Sequence, residues 1–258
     1  MSGRVLAITS NTFREAVRDR VLYNLILFAL LMIGASLLLG EITIGVERQL
    51  LTNLGLTAIS LFGVLIAIFI GIGLVSKEID KRTLYTVLTR PVQRWEFIAG
   101  KYLGLVVTLV VNTAFMTLGF YIALLYLARG FQKADAYILV AIYFILLQFL
   151  MVTAIALLLS SFSTPIESAV LSFAIFVVGC FNEDLRQFAA AARGVGHYVG
   201  VAASYVIPNF SGLNVVNTVA HGNAVSGELI LLNSAYALTY AAAVVFAAAL
   251  IFQNRNMK

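Results

Sequence analysis

The chain has 258 residues, 61% of them hydrophobic and 11% charged, with a formal net charge of +5. A soluble domain has about a quarter of its residues charged, so this composition excludes an ordinary water-soluble core and makes lipid the natural solvent. The positive charge sits in short blocks beside apolar runs, which excludes a nucleic-acid-binding surface.

The N-terminal stretch "RVLAITSNTFREAVRDR" puts Val5, Leu6, Ile8, Phe13, Ala16 and Val17 on one half of a helical wheel and Arg4, Asn11, Arg14, Glu15 and Arg18 on the other. This spacing predicts an amphipathic elbow helix over residues 1–21, lying in the headgroup layer. Arg20 falls on the apolar side, where it snorkels or marks the helix end. The following apolar run is too long for a signal-peptide core and has no A-x-A site after it, so no cleavable signal is expected.

Residues 22–258 read as one all-α polytopic transmembrane domain. Six apolar stretches match or approach the ~20 residues that span roughly 30 Å of hydrocarbon. They lie at Leu22–Gly40, Leu54–Ser76, Tyr102–Leu127, Tyr137–Ser161, Ser168–Phe181 and Leu229–Phe252. The fifth is the shortest. With the N-terminus inside, twelve Lys/Arg fall on the cytoplasmic side and five outside: Arg48, Arg129, Lys133, Arg186 and Arg193. The positive-inside rule therefore expects both termini in the cytoplasm.

The segment 77–101, "KEIDKRTLYTVLTRPVQRWEFIAGK", holds nine of the 29 charged residues. Burying its six Lys/Arg at mid-bilayer would cost about 15–20 kcal/mol, so it belongs in the cytoplasm. Glu78 to Leu88 predicts a helix of about three turns, with Ile79, Leu84, Val87 and Leu88 as apolar positions. Pro91 stops it. A second short segment starts at Val92, where Arg94, Trp95 and Lys101 fit an interfacial anchor, the Trp at headgroup level and the cations beyond it. A topology signal needs only a few cations. An apolar face in the cytoplasm needs a cover: the chain itself, the membrane surface or a partner's groove.

Between the fourth and fifth spans, Thr164, Pro165 and Glu167 read as N-cap, N1 and N3 of a capping box. That makes Glu167 a cap rather than a coupling carboxylate. Cys180, the single cysteine, lies in an apolar run and reads as a packed, inert thiol. The loop 182–228 is the longest outside connection. Asp184–Ala192 suits a short helix. Tyr198–Ile207 is apolar but half the spanning length, cut by Gly194, Gly196 and Gly200 and ended by Pro208. The expectation is two short outer helices, at least one dipping into the membrane surface. A second reading makes Val195–Phe210 a seventh span and moves the C-terminus outside. Alanines in the last span suit close helix packing.

Chemistry is sparse. There is no H-E-x-x-H, G-x-S-x-G or Walker A motif. His197 and His221 lie in the outer loop without an adjacent carboxylate or cysteine and read as ordinary loop histidines. No Asp, Glu, Lys or Arg lies deep in any predicted span, where ion-coupled carriers place such groups. The polar residues there are Asn112 and Thr113 in the third span and Gln148 in the fourth. They either make interhelical hydrogen bonds or line a substrate path.

In this order and topology, Glu78, Arg82-Thr83, Arg90-Pro91-Val92, Gly100-Lys101 and the "IPNF" element at Ile207-Pro208-Asn209-Phe210 resemble the permease subunits of second-type ATP-binding-cassette exporters. The nearest branch is the one associated with maturation of multi-copper enzymes such as nitrous-oxide reductase. The resemblance covers nearly the whole chain: elbow, six spans and outer helices. It implies a non-catalytic subunit in a bacterial inner membrane. It assigns ATPase coupling to Lys77, Glu78, Ile79, Lys81, Arg82, Leu84, Tyr85 and Leu88. It also implies a separate ATPase carrying ATP and Mg, a second permease copy and the lipid bilayer as partners, with no cofactor on this chain. The alternatives are a non-ABC membrane scaffold or secondary carrier, and an intramembrane enzyme, for which no catalytic constellation is present.

Overall fold

A computed structural model describes residues 2–18, 27–28, 31–32, 34–35, 47–80, 94–128, 130, 132–192 and 194–254. Among these residues every regular element is helical. They are α1 (Ser2–Arg18), α2 (Glu47–Asp80), α3 (Arg94–Ala128), α4 (Ala136–Ser160), α5 (Pro165–Cys180), α6 (Asn182–Ala191), α7 (Val195–Val206), α8 (Val216–Ala220) and α9 (Gly227–Asn254). Short 3-10 turns occupy Lys133–Asp135 and Ser211–Leu213.

Four helices, α2, α3, α4 and α9, are long and apolar enough to cross a membrane. The number rises to six if each bent pair counts as one span: α5 with α6, bent by 60°, and α7 with Ser211–Ala220, bent by 49°. The predicted first span lies mostly outside the described residues. The residues described there are helical, and Phe28 and Met32 are buried in the main core. At 16 residues α5 is about 24 Å long, shorter than the hydrocarbon layer. Its capping box is present: Thr164 Oγ1 accepts from the Glu167 N–H at 3.4 Å, and Glu167 Oε2 accepts from the Thr164 N–H at 3.1 Å.

α4 is the hub. It packs on α2, α3, α5 and α9, because its side chains are apolar all round and demand cover on every face. α2 meets it through Gly63, where a Cβ would strike the Phe149 ring. Phe28 stacks edge-on against Phe62 at 6.3 Å.

Three expectations are corrected. The second and third spans extend further than their apolar stretches: α2 continues through Lys77–Asp80, and α3 begins at Arg94. No Gly or Pro separates Val75 from Asp80, and Lys, Glu and Ile all continue a helix that is already nucleated. Gly196 and Gly200 do not cut the outer segment, since α7 runs through both. Gly200 serves close approach instead: a Cβ there would lie 2.7 Å from the Ala189 Cβ on α6. The turn between α6 and α7 is made at Gly194, whose φ of +66° suits only glycine well. The α6 helix agrees with its expected position within two residues. α7, with 12 residues, reaches about 18 Å, too short to be a seventh span by itself.

Candidate functional site

Three places along the bundle bear on function: the charged segment, the joint between α1 and α3, and a cavity in the core. In the charged segment, Lys77, Glu78 and Ile79 form the last turn of α2 rather than the start of a separate helix. Lys81, Arg82, Leu84, Tyr85 and Leu88 lie outside the described residues, as does the break at Pro91. The chain resumes as helix at Arg94, so the expected anchor is the first two turns of α3 rather than a segment before it.

Within that anchor, Trp95 is exposed, as an interfacial ring would be, but Lys101 is only 2% exposed. Its Nζ lies 5.1 Å above the Phe97 ring, a cation–π contact. Glu96 is also buried. The sequence placed Lys101 outside the bilayer as an anchor; the structure buries its side chain against Phe97, in sequence between two glycines that α1 crosses.

Those glycines, Gly100 and Gly104, make the joint. A Cβ on Gly100 would come within 2.8 Å of the Ile8 side chain, and one on Gly104 within 2.6 Å of Thr12 Cβ. The Thr9 hydroxyl donates to the Val5 carbonyl (2.9 Å) on its own helix and to the Gly100 carbonyl (3.2 Å) across the joint. Thr12 and Ala16 are buried, whereas Leu6 is exposed. The apolar half of α1 is thus divided. Ile8 and Thr12 pack on α3, and Leu6 stays exposed. The Gly-x-x-x-Gly spacing in "GKYLG", a close-approach signal between membrane helices, was visible in the sequence.

The cavity, of about 200 Å³, lies between α2, α4, α5 and the segment 210–217. Thr57 and Ser60 come from α2, Gln148 from α4, Cys180 from α5, and Phe210 and Asn214 from the roof. Ser60 Oγ donates to Gln148 Oε1 at 3.0 Å. The roof is pinned by two bonds: the Phe210 N–H to the Gly179 carbonyl (3.1 Å), and the Asn209 N–H to the Tyr236 hydroxyl (2.9 Å). Phe210 packs its ring against Phe176 at 5.4 Å, over Gly179, where a Cβ would collide with it. The Pro-Asn-Phe element is therefore a plug in the bundle. Of the three polar residues named from the sequence, Asn112, Thr113 and Gln148, only Gln148 lines this cavity. Asn112 is buried in α3 with its amide nitrogen 3.7 Å from Met116 Sδ and no partner for its oxygen among the described residues.

At this end of the bundle Arg48 is paired with Asp135 at 2.7 Å, one guanidinium nitrogen reaching both carboxylate oxygens and the other donating to the Gly130 carbonyl. The Tyr121 hydroxyl donates to the Asp135 carbonyl at 2.9 Å. His221 bonds Gln49 at 2.7 Å and the Asn217 carbonyl at 2.7 Å, and His197 bonds the Ala189 carbonyl at 2.8 Å. Both histidines are thereby occupied by contacts with residues of α2, α6 and α8.

The profile described as ABC-2 family transporter protein matches residues 6–257, from α1 to beyond α9. The chain belongs to the ABC-2 transporter family. No curated protein matches it closely. As an ABC-2 protein it is a multi-pass membrane permease component, of a kind generally without catalytic activity of its own, and the family implies an ATP-binding-cassette ATPase as partner.

Proposed function

We propose that this ABC-2 protein is the permease subunit of an ATP-driven exporter in a bacterial inner membrane, both termini cytoplasmic, nearest the multi-copper-enzyme-maturation branch. ATP and Mg bind on a separate ATPase polypeptide, and the working unit is two permeases with two ATPases. Residues 77–88, with Lys77, Glu78, Ile79, Lys81, Arg82, Leu84, Tyr85 and Leu88, form the docking face. The observation that carries this reading is the pair of uninterrupted helices. α2 leaves the apolar region and continues into Lys77–Asp80, and α3 starts at Arg94 before entering it. A displacement passed to Asp80 or Arg94 would act on two spans directly, since both helices are continuous from those residues into the apolar region. When ATP closes the ATPase pair, the docking faces move together, and the α2–α3 pairs of the two permeases shift with them. Positions Asn112 and Gln148 are then polar points inside the moving bundle.

The test is reconstitution with the ATPase. Ile79→Asp or Leu84→Asp puts a charge on the apolar face offered to the partner. Each change is expected to abolish permease stimulation of ATP turnover while membrane insertion stays normal. Unaltered turnover in both variants, or an ATPase that never co-purifies with the wild-type chain, would sink the proposal.

A further inference from the structure

We propose that the cavity roofed by Phe210 is a binding site for a small, uncharged molecule carrying a hydrogen-bond acceptor for the Gln148 amide. Gln148 stands at the midpoint of the 25-residue α4. The site is therefore at about mid-bilayer depth, where an ion would lose its hydration at high cost. None of the fourteen residues around the cavity is charged. A charged occupant would have no counter-ion.

The hydrogen-bond inventory sets the polarity. The Gln148 carbonyl oxygen is taken by Ser60, and the Asn214 carbonyl oxygen accepts from the Val216 N–H at 3.3 Å. The Ser211 hydroxyl is given to Asn209 Oδ1 at 2.7 Å. The amide nitrogens of Gln148 and Asn214 have no protein partner among the described residues. Each amide N–H₂ has two donors to give. Gln148 is 8% exposed, and an unmet donor at that depth costs free energy unless something accepts from it. At the Gln148 wall, then, donors are on offer while the carbonyl oxygen is taken; Thr57 and the exposed Asn214 and Asn217 carry donor and acceptor alike. A carbonyl, sulfoxide or ether oxygen answers the Gln148 donors; an ammonium or a carboxylate does not.

Volume bounds the occupant. An apolar cavity of ~150 Å³ takes up benzene, so about 200 Å³ admits roughly six to ten non-hydrogen atoms, or the polar head of something larger. Drug-sized ligands need pockets of about 300 Å³ or more. This names a substrate class for the permease and rests on that reading.

Cys180, the only cysteine, is in the cavity wall and reports on it. The experiment follows labelling of Cys180 by N-ethylmaleimide, by mass spectrometry, in the wild-type chain in lipid nanodiscs without any ATPase. The probes are N,N-dimethylacetamide, an uncharged acceptor, with acetate and benzene as charged and apolar counterparts. Dimethylacetamide is expected to slow labelling about threefold once present at twice its dissociation constant, and acetate not at all. Gln148→Leu and Gln148→Met, which remove the donors at similar volume, are expected to lose that protection. Four outcomes would overturn the proposal: no labelling of Cys180 at all; no protection by dimethylacetamide, meaning water alone fills the cavity; equal protection by benzene; or protection that survives in a folded Gln148 variant. If neither variant folds, the wild-type contrast among the three probes still decides. Because no ATPase is present, a failed result here condemns the pocket and leaves the coupling proposal standing; the converse holds for the turnover experiment.

Discussion

At one end of the bundle α1 lies on α3 because Gly100 and Gly104 have no side chains to keep it away; at the other, α2 and α4 are joined by the Arg48–Asp135 ion pair and its surrounding hydrogen bonds. The first contact rests on close approach at the two glycines, across which the Thr9 hydroxyl donates to the Gly100 carbonyl. The second is directional, two oxygens on one guanidinium, with the Gln132 N–H also held by Asp135 at 2.7 Å. Shape tolerates a small slide or roll, since dispersion contacts are individually weak and re-form after a shift. A charge-assisted fork does not, because it loses strength as soon as its angles change. Under the proposed coupling, the end next to the charged segment is the one that shifts, and the far end is the one that holds register.

The comparison can be broken most severely at the glycines. Gly104→Leu drives a branched side chain into Thr12 and the Thr9 carbonyl, and overpacking of this kind costs about 3 kcal/mol. We expect a clear drop in melting temperature in nanodiscs and early protease cleavage of α1; a variant that melts like wild type would show that the joint is not tight. Next comes the ion pair. Arg48→Ala leaves the mostly buried Asp135 carboxylate without its partner, a loss of about 2 kcal/mol for charge-assisted bonds at a partly screened site. The Arg48→Ala, Asp135→Ala double variant should recover part of it, and strict additivity of the two losses would argue that the residues do not interact. The smallest effect is expected at Gln49→Ala, which removes an exposed bond to His221 and should shift stability by no more than about 0.5 kcal/mol. A larger shift would mean that the holding end depends on α8 as well as on the ion pair.

The sequence made the long apolar helices legible, because hydropathy at this length has few alternatives, and it made Thr164–Glu167 legible because a capping box is local. It misplaced what depends on neighbours. Lys101 looked like a boundary residue, since a lysine after an apolar break usually ends up in water; in the fold it is buried with its ammonium over the Phe97 ring, and no one-dimensional pattern announces that burial. The wheel of α1 showed an apolar half but not that Ile8 and Thr12 meet protein while Leu6 does not. Gly196 and Gly200 looked like breakers, since glycine weakens an isolated helix; packing on Ala189 outweighs that preference. Gln148 was found as a polar residue in an apolar run, but its partner Ser60 lies 88 positions away, and the cavity between them follows from the Pro-Asn-Phe plug folding back onto Gly179.

The unbroken length of α2 has a mechanical consequence. Its 34 residues make a rod of about 50 Å, held at the Arg48 end. Treated as a lever pivoting there, it has its Asp80 tip about 48 Å and Ser60 about 18 Å from the fulcrum. A swing of roughly 4 Å at the tip then shifts the Ser60 wall by about 1.5 Å, close to the radius of a water molecule. With the proposed ATPase pushing at the Asp80 tip, such gearing would turn a coarse displacement there into a fine adjustment of the space beside Gln148.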